Sequence, residues 1–534
     1  MLRCRLFVAV TVAFPAILAA QSPADSTGRA IRAVSIQRND IFDSAENTSW
    51  FTRLANRLHI TTRESVVRRE LLLRPGEAYD SARAAETARN LRALGVFRQV
   101  RVDSVRSDSG LVLHVATHDG WSTRPDFRFK STGGETEYTV AFIEDNLLGT
   151  ASQASVKYRN TPDRSSTSFS FLQPRFISRT VRLETEYENR SDGRRFLLVA
   201  GQPFYSLSSR GSLLLRAEDR KERILRFFEG ERIASDTLRR EYQLLRLEAG
   251  KAFAASSRGY LRVGALAQVR KDGFAAESAA GVSTQTSGAI GPYLEWRRAR
   301  YIVARGFVGF GREEDVDVST AIRFGALAAP AAFGYDRDGV APFIAGRAGT
   351  SFGAGFVFLD FRANGLYDAG GLDSGSVTVG GTVVLQPGSR HTMVLHGDGG
   401  WIRNPLPGEE FDLGLGTGPR AFRSHSFTGD RAFFGTAEYR YTVKDELWKV
   451  VGIGVAGFVD YGGAWYDGAP RRAGWNAGIG IRLGASRAAG VEAIRIDLAR
   501  RFATDIEGAG WLLVVGKGLT FPTSPGVANA RGGE

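Results

Sequence analysis

From residue 121 onward, apolar and polar side chains alternate along short segments that are separated by Gly- and Asp-rich turns. From Trp475 to Leu483, apolar residues occupy every second position, and small or polar residues occupy the positions between them. In the segment Arg431–Tyr441, the charged residues Glu438 and Arg440 fall on one face. Successive side chains of a strand point to opposite faces, and an apolar outer face with a polar inner face is typical of a membrane barrel. The pattern predicts a transmembrane antiparallel β-barrel over residues 121–521.

The length of this region sets the expected number of strands. Roughly 400 residues, at about 25 per strand with its connection, predict about sixteen strands, an even number as in bacterial single-chain barrels. The segment from Tyr301 to Gly311 is interpreted as one of these wall strands, with Arg305 facing the lumen. A soluble β-sandwich would alternate as well, but it rarely carries so many charged faces, and barrel closure removes the exposed strand edges.

The first twenty residues have the features of a secretory signal peptide. Arg3 and Arg5 give a positively charged start, Leu6 to Ala20 is apolar, and Ala19-Ala20 offers small residues for cleavage. A single membrane anchor is the alternative, but a spanning helix needs roughly 20 apolar residues, more than this stretch provides. Residues 21–28 then form a polar linker.

Residues 29–120 combine helix signals with strand-like segments. A capping box at Thr61-Thr-Arg-Glu64 is expected to start one helix. Asp80 is expected to cap a second helix that ends at Gly95. The stretch from Asn39 to Ile60 is interpreted as an insertion with a helix around Trp50 to Leu58. The predicted order is β-α-α-β-β, a small α+β domain, with strands at Ile31–Ile36, Val96–Val105 and Leu111–Val115.

Charge and candidate chemistry narrow the classes of function. The formal net charge is +13, but the arginines are spread one or two per segment, so no nucleic-acid partner is expected. The single cysteine, Cys4, lies in the predicted signal peptide, so no disulfide is expected. The six histidines show no metal-ligand spacing. We therefore predict that the protein holds no metal or cofactor and is not an enzyme. A phospholipase with a dispersed triad stays open as an alternative.

Several motifs together resemble one known family. They are Val66-Val-Arg-Arg-Glu-Leu-Leu-Leu-Arg-Pro-Gly76 and Asn90-Leu-Arg-Ala-Leu-Gly-Val-Phe97 in the α+β region, with Ile143-Glu-Asp-Asn-Leu-Leu-Gly149 at the start of the barrel. With the C-terminal barrel, they resemble the BamA/TamA-type outer-membrane assembly and translocation superfamily. In that family the soluble part is a POTRA domain, so the resemblance implies a POTRA-like domain in the periplasm, over residues 29–120.

The resemblance also implies a lumen-loop lock. In the family, a long external loop folds into the lumen, and the arginine of its Val-Arg-Gly-Phe/Tyr tip pairs with acidic residues on the wall. Pro419-Arg-Ala-Phe422 takes that place here, so Arg420 and Phe422 would pair and pack there, with Glu438 and Asp460 as partners. Ala421 departs from the family's glycine and would cost about 1 kcal/mol if the position needs a positive φ. An ordinary external loop is the alternative.

The end of the barrel resembles the terminal-strand signal of outer-membrane barrels, carried by Gly516, Leu519 and Phe521. Residues 522–534 follow as a polar tail that is predicted to be disordered.

The function that the resemblance implies is assembly and insertion of outer-membrane proteins, or polypeptide translocation, through a plugged barrel. Its partners would be unfolded or β-rich outer-membrane or secreted polypeptides, outer-membrane lipid, and periplasmic accessory proteins. Clients would be captured by β-augmentation on the edge strand that carries Val96, Arg98, Val100 and Val102. A single POTRA-like domain is fewer than the principal assembly proteins usually have. A passive outer-membrane pore, or a surface-exposed binding barrel, is the alternative.

Overall fold

The computed structural model describes residues 30–42, 47–107, 110–132, 135–178, 180–228, 230–308, 313–414, 417–448, 450–485 and 492–519. The predicted signal peptide, linker and C-terminal tail lie outside the described residues, and so does Phe521. The described chain forms a small α+β unit followed by a large β-barrel.

The α+β unit has three helices and a three-stranded sheet, and two of the helices, α2 and α3, pack on the sheet. Its sheet has the order β1-β3-β2, with β1 parallel and β2 antiparallel to the central β3. Val67, Leu91 and Leu113 are fully buried at its centre. The first helix comes before the two helices of the predicted order β-α-α-β-β. It lies in the stretch that was interpreted as an insertion, where a helix was expected. The elements are β1 (Ile31–Asn39), α1 (Trp50–Leu58), α2 (Glu64–Glu70), α3 (Ser81–Ala93), β2 (Phe97–Ser107) and β3 (Gly110–Asp119).

The helix starts follow local hydrogen bonding, and one differs from the prediction. The Asp80 carboxylate accepts from the amides of Ala82 and Arg83 and caps α3. The capping box predicted at Thr61-Thr-Arg-Glu64 is wrong, because α2 begins at Glu64 without a side-chain cap. Thr62 instead donates its amide (2.7 Å) and its hydroxyl (2.8 Å) to the buried carboxylate of Asp119.

In the described part of the chain, the barrel has twenty strands. Strands that follow each other around the wall pair antiparallel. The last strand, β29, lies beside the first, β4, and closes the barrel. The wall strands are β4 (Thr123–Thr132), β5 (Glu135–Glu144), β6 (Gln153–Asn160), β7 (Ser165–Gln173), β8 (Arg182–Arg190), β9 (Gly193–Gln202), β10 (Gly211–Ile224), β13 (Leu238–Ser256), β14 (Gly259–Ala276), β15 (Gln285–Arg298), β18 (Thr320–Ala329), β19 (Gly339–Phe352), β20 (Gly355–Asp368), β21 (Gly371–Gly388), β22 (His391–Arg403), β25 (Arg431–Leu447), β26 (Val451–Trp465), β27 (Gly474–Ala485), β28 (Ile494–Arg501) and β29 (Gly510–Lys517).

Six short strands form hairpins outside the wall. They are β11 (Phe227–Phe228), β12 (Glu231–Arg232), β16 (Tyr301–Arg305), β17 (Glu313–Asp317), β23 (Phe411–Leu413) and β24 (Phe427–Gly429). Three 3-10 turns complete the elements, at Leu147–Gly149, Ala234–Asp236 and Ala331–Phe333.

The expected number of about sixteen strands is therefore wrong. It assumed about 25 residues per strand with its connection, but the early strands are shorter. Strands β6 to β9 have only 8, 9, 9 and 10 residues. The same length of chain consequently crosses the wall more often.

The interpretation of Tyr301 to Gly311 as a wall strand is also wrong. Strand β15 pairs directly with β18, with Arg298 opposite Thr320, so β16 and β17 are not wall strands. Strand β16 pairs with β17 in a separate hairpin. We call β16, β17 and residues 306–308 the lumen hairpin. Apolar and polar residues alternate in the same way in a wall strand and in a strand of a hairpin outside the wall. The sequence pattern alone therefore could not distinguish the two.

The two faces of the wall have opposite character. Leu245, Leu247 and Ile479 are exposed on the outside of the barrel, whereas Arg240 and Arg482 are buried inside it. This arrangement is the one expected for a barrel surrounded by lipid with a polar interior. Among the described residues, no helix is both long and apolar enough to cross a membrane.

Candidate functional site

A long loop, residues 404–430, folds into the barrel. It connects β22, the fifteenth wall strand, to β25. Strand β4, the first of the wall, runs away from the α+β unit, and every second strand after it runs in the same direction. The fifteenth strand, β22, therefore ends on the side of the barrel opposite the α+β unit, and the loop begins there. We call it the external loop. Its residues Arg420, Ala421 and Phe422 are almost completely buried.

Arg420 is the centre of a buried charge cluster. Its guanidinium binds Asp460 through two bonds, Nε to Oδ2 at 2.7 Å and Nη2 to Oδ1 at 3.0 Å. Its Nη1 also donates to Glu438 at 3.1 Å and to Asp497 at 2.9 Å. The guanidinium carbon lies 3.6 Å from the centre of the Phe458 ring. The structure thus brings Arg420 together with the two acidic residues that the resemblance named and with a third, Asp497.

Electrostatics favour the charged form of Arg420. Burial opposes the charge, but the carboxylates of Asp460, Glu438 and Asp497 outweigh it and raise the pKa of Arg420. The two-bond pairing with Asp460 also fixes the orientation of the guanidinium, which a single ammonium group could not do.

A second set of side chains orients the three carboxylates. Thr436 and Asn476 donate to Asp460, at 2.7 and 2.9 Å. Arg482 bridges Glu438 and Asp497, at 3.0 and 2.5 Å. The wall residues of the cluster therefore come from four adjacent strands, β25 to β28.

The sequence reasoning missed Asp497 as a partner of Arg420. The signal that could have found it is the alternation of β28, in which Arg495 and Asp497 share one face with the small Ala499. Arg482 was placed on the polar face of its strand, but no partner was assigned to it.

Ala421 and Phe422 fit the wall closely. The described non-glycine residues with positive φ do not include Ala421, so the expected cost of alanine at this position does not arise. The Ala421 amide donates to the Asn476 side chain at 3.2 Å, and its methyl group packs near Phe458. The Phe422 ring lies over Gly474, where an added Cβ would come within 2.2 Å of it. Glycine at the start of β27 therefore makes room for this ring.

The outer part of the loop is attached to several neighbouring loops. Glu507, between β28 and β29, accepts from the Arg423 amide at 3.0 Å and from the Ser426 hydroxyl. Both ring nitrogens of His425 face carboxylates, Nδ1 facing Asp412 at 2.6 Å and Nε2 facing Asp163 at 2.9 Å. The external loop is thus held at its tip and at its base.

The lumen hairpin enters the barrel from the other end. Phe307 of this hairpin packs edge-on against Phe356 of the wall, with 5.3 Å between the ring centres. Val384 and Val394, on neighbouring wall strands, belong to the same apolar cluster. Arg440 donates to the Phe307 carbonyl at 2.6 Å and to Glu438 at 2.6 Å. The two elements that enter the lumen from opposite ends are therefore linked through two residues of β25, Arg440 and Glu438.

The α+β unit is attached to the barrel through the same end. Arg92 on α3 binds Asp315 of the lumen hairpin through two bonds, at 2.6 and 2.8 Å. Glu86, also on α3, accepts from the Leu207 amide in the β9–β10 connection at 2.5 Å. Burial raises the pKa of Glu86.

Strand β2 is an edge of the α+β sheet. Of the residues proposed to capture clients, Val96 and Val100 are buried in the core of the unit and Val102 packs against that core. Arg98 follows Phe97 at the start of the strand. The three valine side chains are therefore turned toward the core, and only the main chain at the sheet edge could pair with an added strand. A groove of about 610 Å³ lies between β2, α3 and the lumen hairpin.

The terminal-strand residues are only partly described. Gly516 pairs with Arg495 inside the wall. Leu519 follows β29 and packs against the apolar cluster of the lumen hairpin. Phe521 lies outside the described residues.

Comparison with known proteins gives similarities of limited extent. No protein-family model matches the chain. The outer membrane protein assembly factor BamA of Neorickettsia risticii (strain Illinois) is 27% identical over 166 residues, which is 29% of this chain and 22% of that protein. The match therefore spans less than a quarter of that relative's length.

Solved structures superpose on the chain loosely, with 10% identity in each case. BamA from Haemophilus ducreyi lacking POTRA domains 1-3 gives a TM-score of 0.40, covering 92% of this chain and 84% of that chain. CdiB from Acinetobacter baumannii gives 0.42, covering 92% and 74%. CdiB from Escherichia coli gives 0.47, covering 95% and 92%.

Proposed function

The chain is similar in sequence to the BamA/TamA-type superfamily, and from this premise we propose that it is an outer-membrane barrel that assembles, inserts or translocates polypeptides. The α+β unit then lies in the periplasm. The observation that carries the proposal is the buried cluster around Arg420, which holds the external loop inside the barrel. Breaking such a buried pair costs about 3–5 kcal/mol. The external loop is therefore held stably in the lumen, where it obstructs the barrel.

The two obstructions in the lumen favour a gated device over a passive pore. The external loop enters the lumen from one end and the lumen hairpin from the other. The hairpin carbonyl of Phe307 accepts from Arg440 of the wall, and Arg440 shares Glu438 with Arg420 of the loop. A passive pore needs only a wall and a wet lumen. Two elements held by buried ion pairs and by an apolar cluster would serve no purpose in it.

Client capture is proposed at the edge of β2. Strand β2 is an edge of its three-stranded sheet, and Val100 and Val102 on it line the groove that the lumen hairpin borders. An extended polypeptide could add there as a further strand. Since main-chain bonds would supply the affinity, sequence specificity should be low.

The seam between β29 and β4 is the proposed place of exit into the membrane. The two strands are joined by an ion pair between Lys517 and Asp126. Opening this seam, or withdrawing the external loop, would let a captured strand pass from the periplasmic end into the lipid. Both movements would involve only parts of this chain, namely β4, β29 and the external loop.

Photo-crosslinking in living cells tests the proposal. A crosslinking amino acid at Arg101, which is exposed and lines the groove, should trap unfolded polypeptides. The same group at Arg68, which is exposed on α2, serves as the matched control. Trapping at neither position, or equal trapping at both, would contradict capture at the β2 edge.

A further inference from the structure

Helix α1 presents an apolar stripe to its surroundings. Trp50, Leu54 and Leu58 are spaced four residues apart and are 71%, 43% and 71% exposed. Residues at this spacing lie on one face of a helix, one above the other. The opposite face carries Thr52 and Ala55, which are buried. Three large apolar side chains in a row on a nine-residue helix are too regular to be scattered surface hydrophobics.

The orientation of this stripe is fixed by the buried face of the helix. The Asn56 side chain donates to the Phe42 carbonyl at 2.7 Å and accepts from the Phe42 amide at 3.1 Å. Ser49 caps the helix through the Thr52 amide at 3.1 Å. Ala55 packs with Ile41 and Phe42. The helix therefore cannot roll to bury the stripe without breaking these contacts.

The stripe continues into the rim of the barrel. Just after α1, the Ile60 carbonyl accepts from the Asn146 side chain at 3.2 Å, and the Arg63 amide donates to Gly149 at 2.9 Å. Both partners belong to the connection between β5 and β6. In that connection Leu148 is exposed, as is Ile60 beside it. The strands on either side carry exposed apolar residues on their outer faces, Phe142 and Val156. The apolar stripe thus joins the lipid-facing wall.

The charges beside the stripe match a phospholipid surface. Arg53 and Arg57 are exposed on α1 and lie on one flank of the apolar face. Arginine side chains at such a flank reach the phosphates while the apolar residues enter the acyl boundary. Each cation near an anionic surface adds to the attraction.

We propose that α1 is an interfacial helix, which lies in the leaflet facing the α+β unit and binds anionic phospholipid. Trp50, Leu54 and Leu58 enter the boundary between headgroups and acyl chains, and Arg53 and Arg57 bind the phosphates. The helix holds the α+β unit against the membrane beside β5 and β6. The proposal requires that the barrel sits in a bilayer, and it is independent of any client.

Fluorescence quenching in vesicles tests this directly. The full chain, with Cys4→Ser, carries a polarity-sensitive probe at Leu54→Cys or Leu58→Cys and is reconstituted with phosphatidylcholine and phosphatidylglycerol. The control position is Val105→Cys, also an exposed apolar residue, at the end of β2 that is remote from Asp119. Nitroxide-labelled lipids should quench the probes at 54 and 58 several-fold more strongly than the probe at 105. Arg53→Gln with Arg57→Gln should weaken that quenching in anionic vesicles and leave it unchanged in phosphatidylcholine alone.

Equal quenching at all three positions would overturn the proposal. So would probes that stay exposed in purified vesicles and become shielded only when cell extract is added, since the partner would then be a protein. Folding of each variant is checked by the heat-dependent shift of the barrel in electrophoresis. Because no client takes part, failure here would leave the crosslinking result at Arg101 untouched.

Discussion

Arg420 is the residue on which the plug depends most. Replacing it with alanine leaves Asp460, Glu438 and Asp497 buried without their shared cation. We expect the external loop to lose about 3–5 kcal/mol of local stability and to become sensitive to added protease. Arg420→Lys should also loosen the loop, because lysine cannot form the two bonds to Asp460.

The matched control for this variant is Arg423→Ala, in the same loop but partly exposed. It should change protease sensitivity far less than Arg420→Ala. An external loop that resists protease equally in all three variants would show that the cluster does not hold it.

Asp497 tests whether the cluster acts as one unit. Its carboxylate binds Arg420 and Arg482, and it is fully buried. We expect Asp497→Asn to loosen the external loop, and the double variant with Arg420→Ala to be less destabilised than the two single effects added together. The measurement is the same protease assay, analysed as a double-mutant cycle. Strict additivity would mean that Asp497 acts independently of Arg420.

Asp119 makes the junction of the α+β unit with the barrel sensitive to pH. Burial raises the pKa of Asp119 to about 6, although bonds from Thr62 and the nearby His59 oppose this. A carboxyl whose pKa is higher in the folded state stabilises fully below about pH 4 and loses that contribution as the pH rises through about 6. Protection of the Thr62 amide from hydrogen exchange should therefore be greater at about pH 4.5 than at about pH 7.5.

Asp119→Asn is the control, since the amide cannot titrate. In this variant the protection should be the same at both pH values, after correction for intrinsic exchange. A pH difference that persists in the asparagine variant would assign the effect to another group.

At the scale of elements, alternation was a dependable guide to faces. It placed Glu438 on the inner face of β25, and Glu438 is buried in the lumen. Likewise, capping chemistry gave the start of α3 at Asp80. Local sequence patterns failed to predict strand pairing and side-chain contacts that depend on residues far away in the sequence. The lumen hairpin alternates like a wall strand, and Asp497 reaches Arg420 only through the order of the strands in the barrel.

The lumen hairpin gives a prediction about the second obstruction. Arg298 and Thr320 face each other across β15 and β18, so residues 300–318 can be replaced by a short glycine- and serine-containing turn. Because the external loop remains in place, we expect this deletion alone to raise conductance only slightly in planar bilayers. Together with Arg420→Ala it should open the lumen. A deletion that by itself gives a wide, steady channel would mean that the external loop does not obstruct the bore.

At the scale of the whole molecule, the described contacts run without interruption from the α+β unit to the external loop. Arg92 binds Asp315 in the lumen hairpin, the hairpin contacts Arg440 through Phe307, and Arg440 shares Glu438 with Arg420. The fold class of this assembly followed from alternation and composition. The number of strands did not, because strand length is set by tilt and pairing in the closed barrel rather than by the local sequence.

Single-channel recording of the unmodified protein in planar bilayers tests the central claim most directly. A barrel plugged by the external loop and the lumen hairpin should stay closed, with only brief and infrequent openings. Arg420→Ala combined with the hairpin deletion should convert these openings into a large, steady conductance. A constant ohmic current through the unmodified protein would contradict the account, because the lumen would then be open at rest.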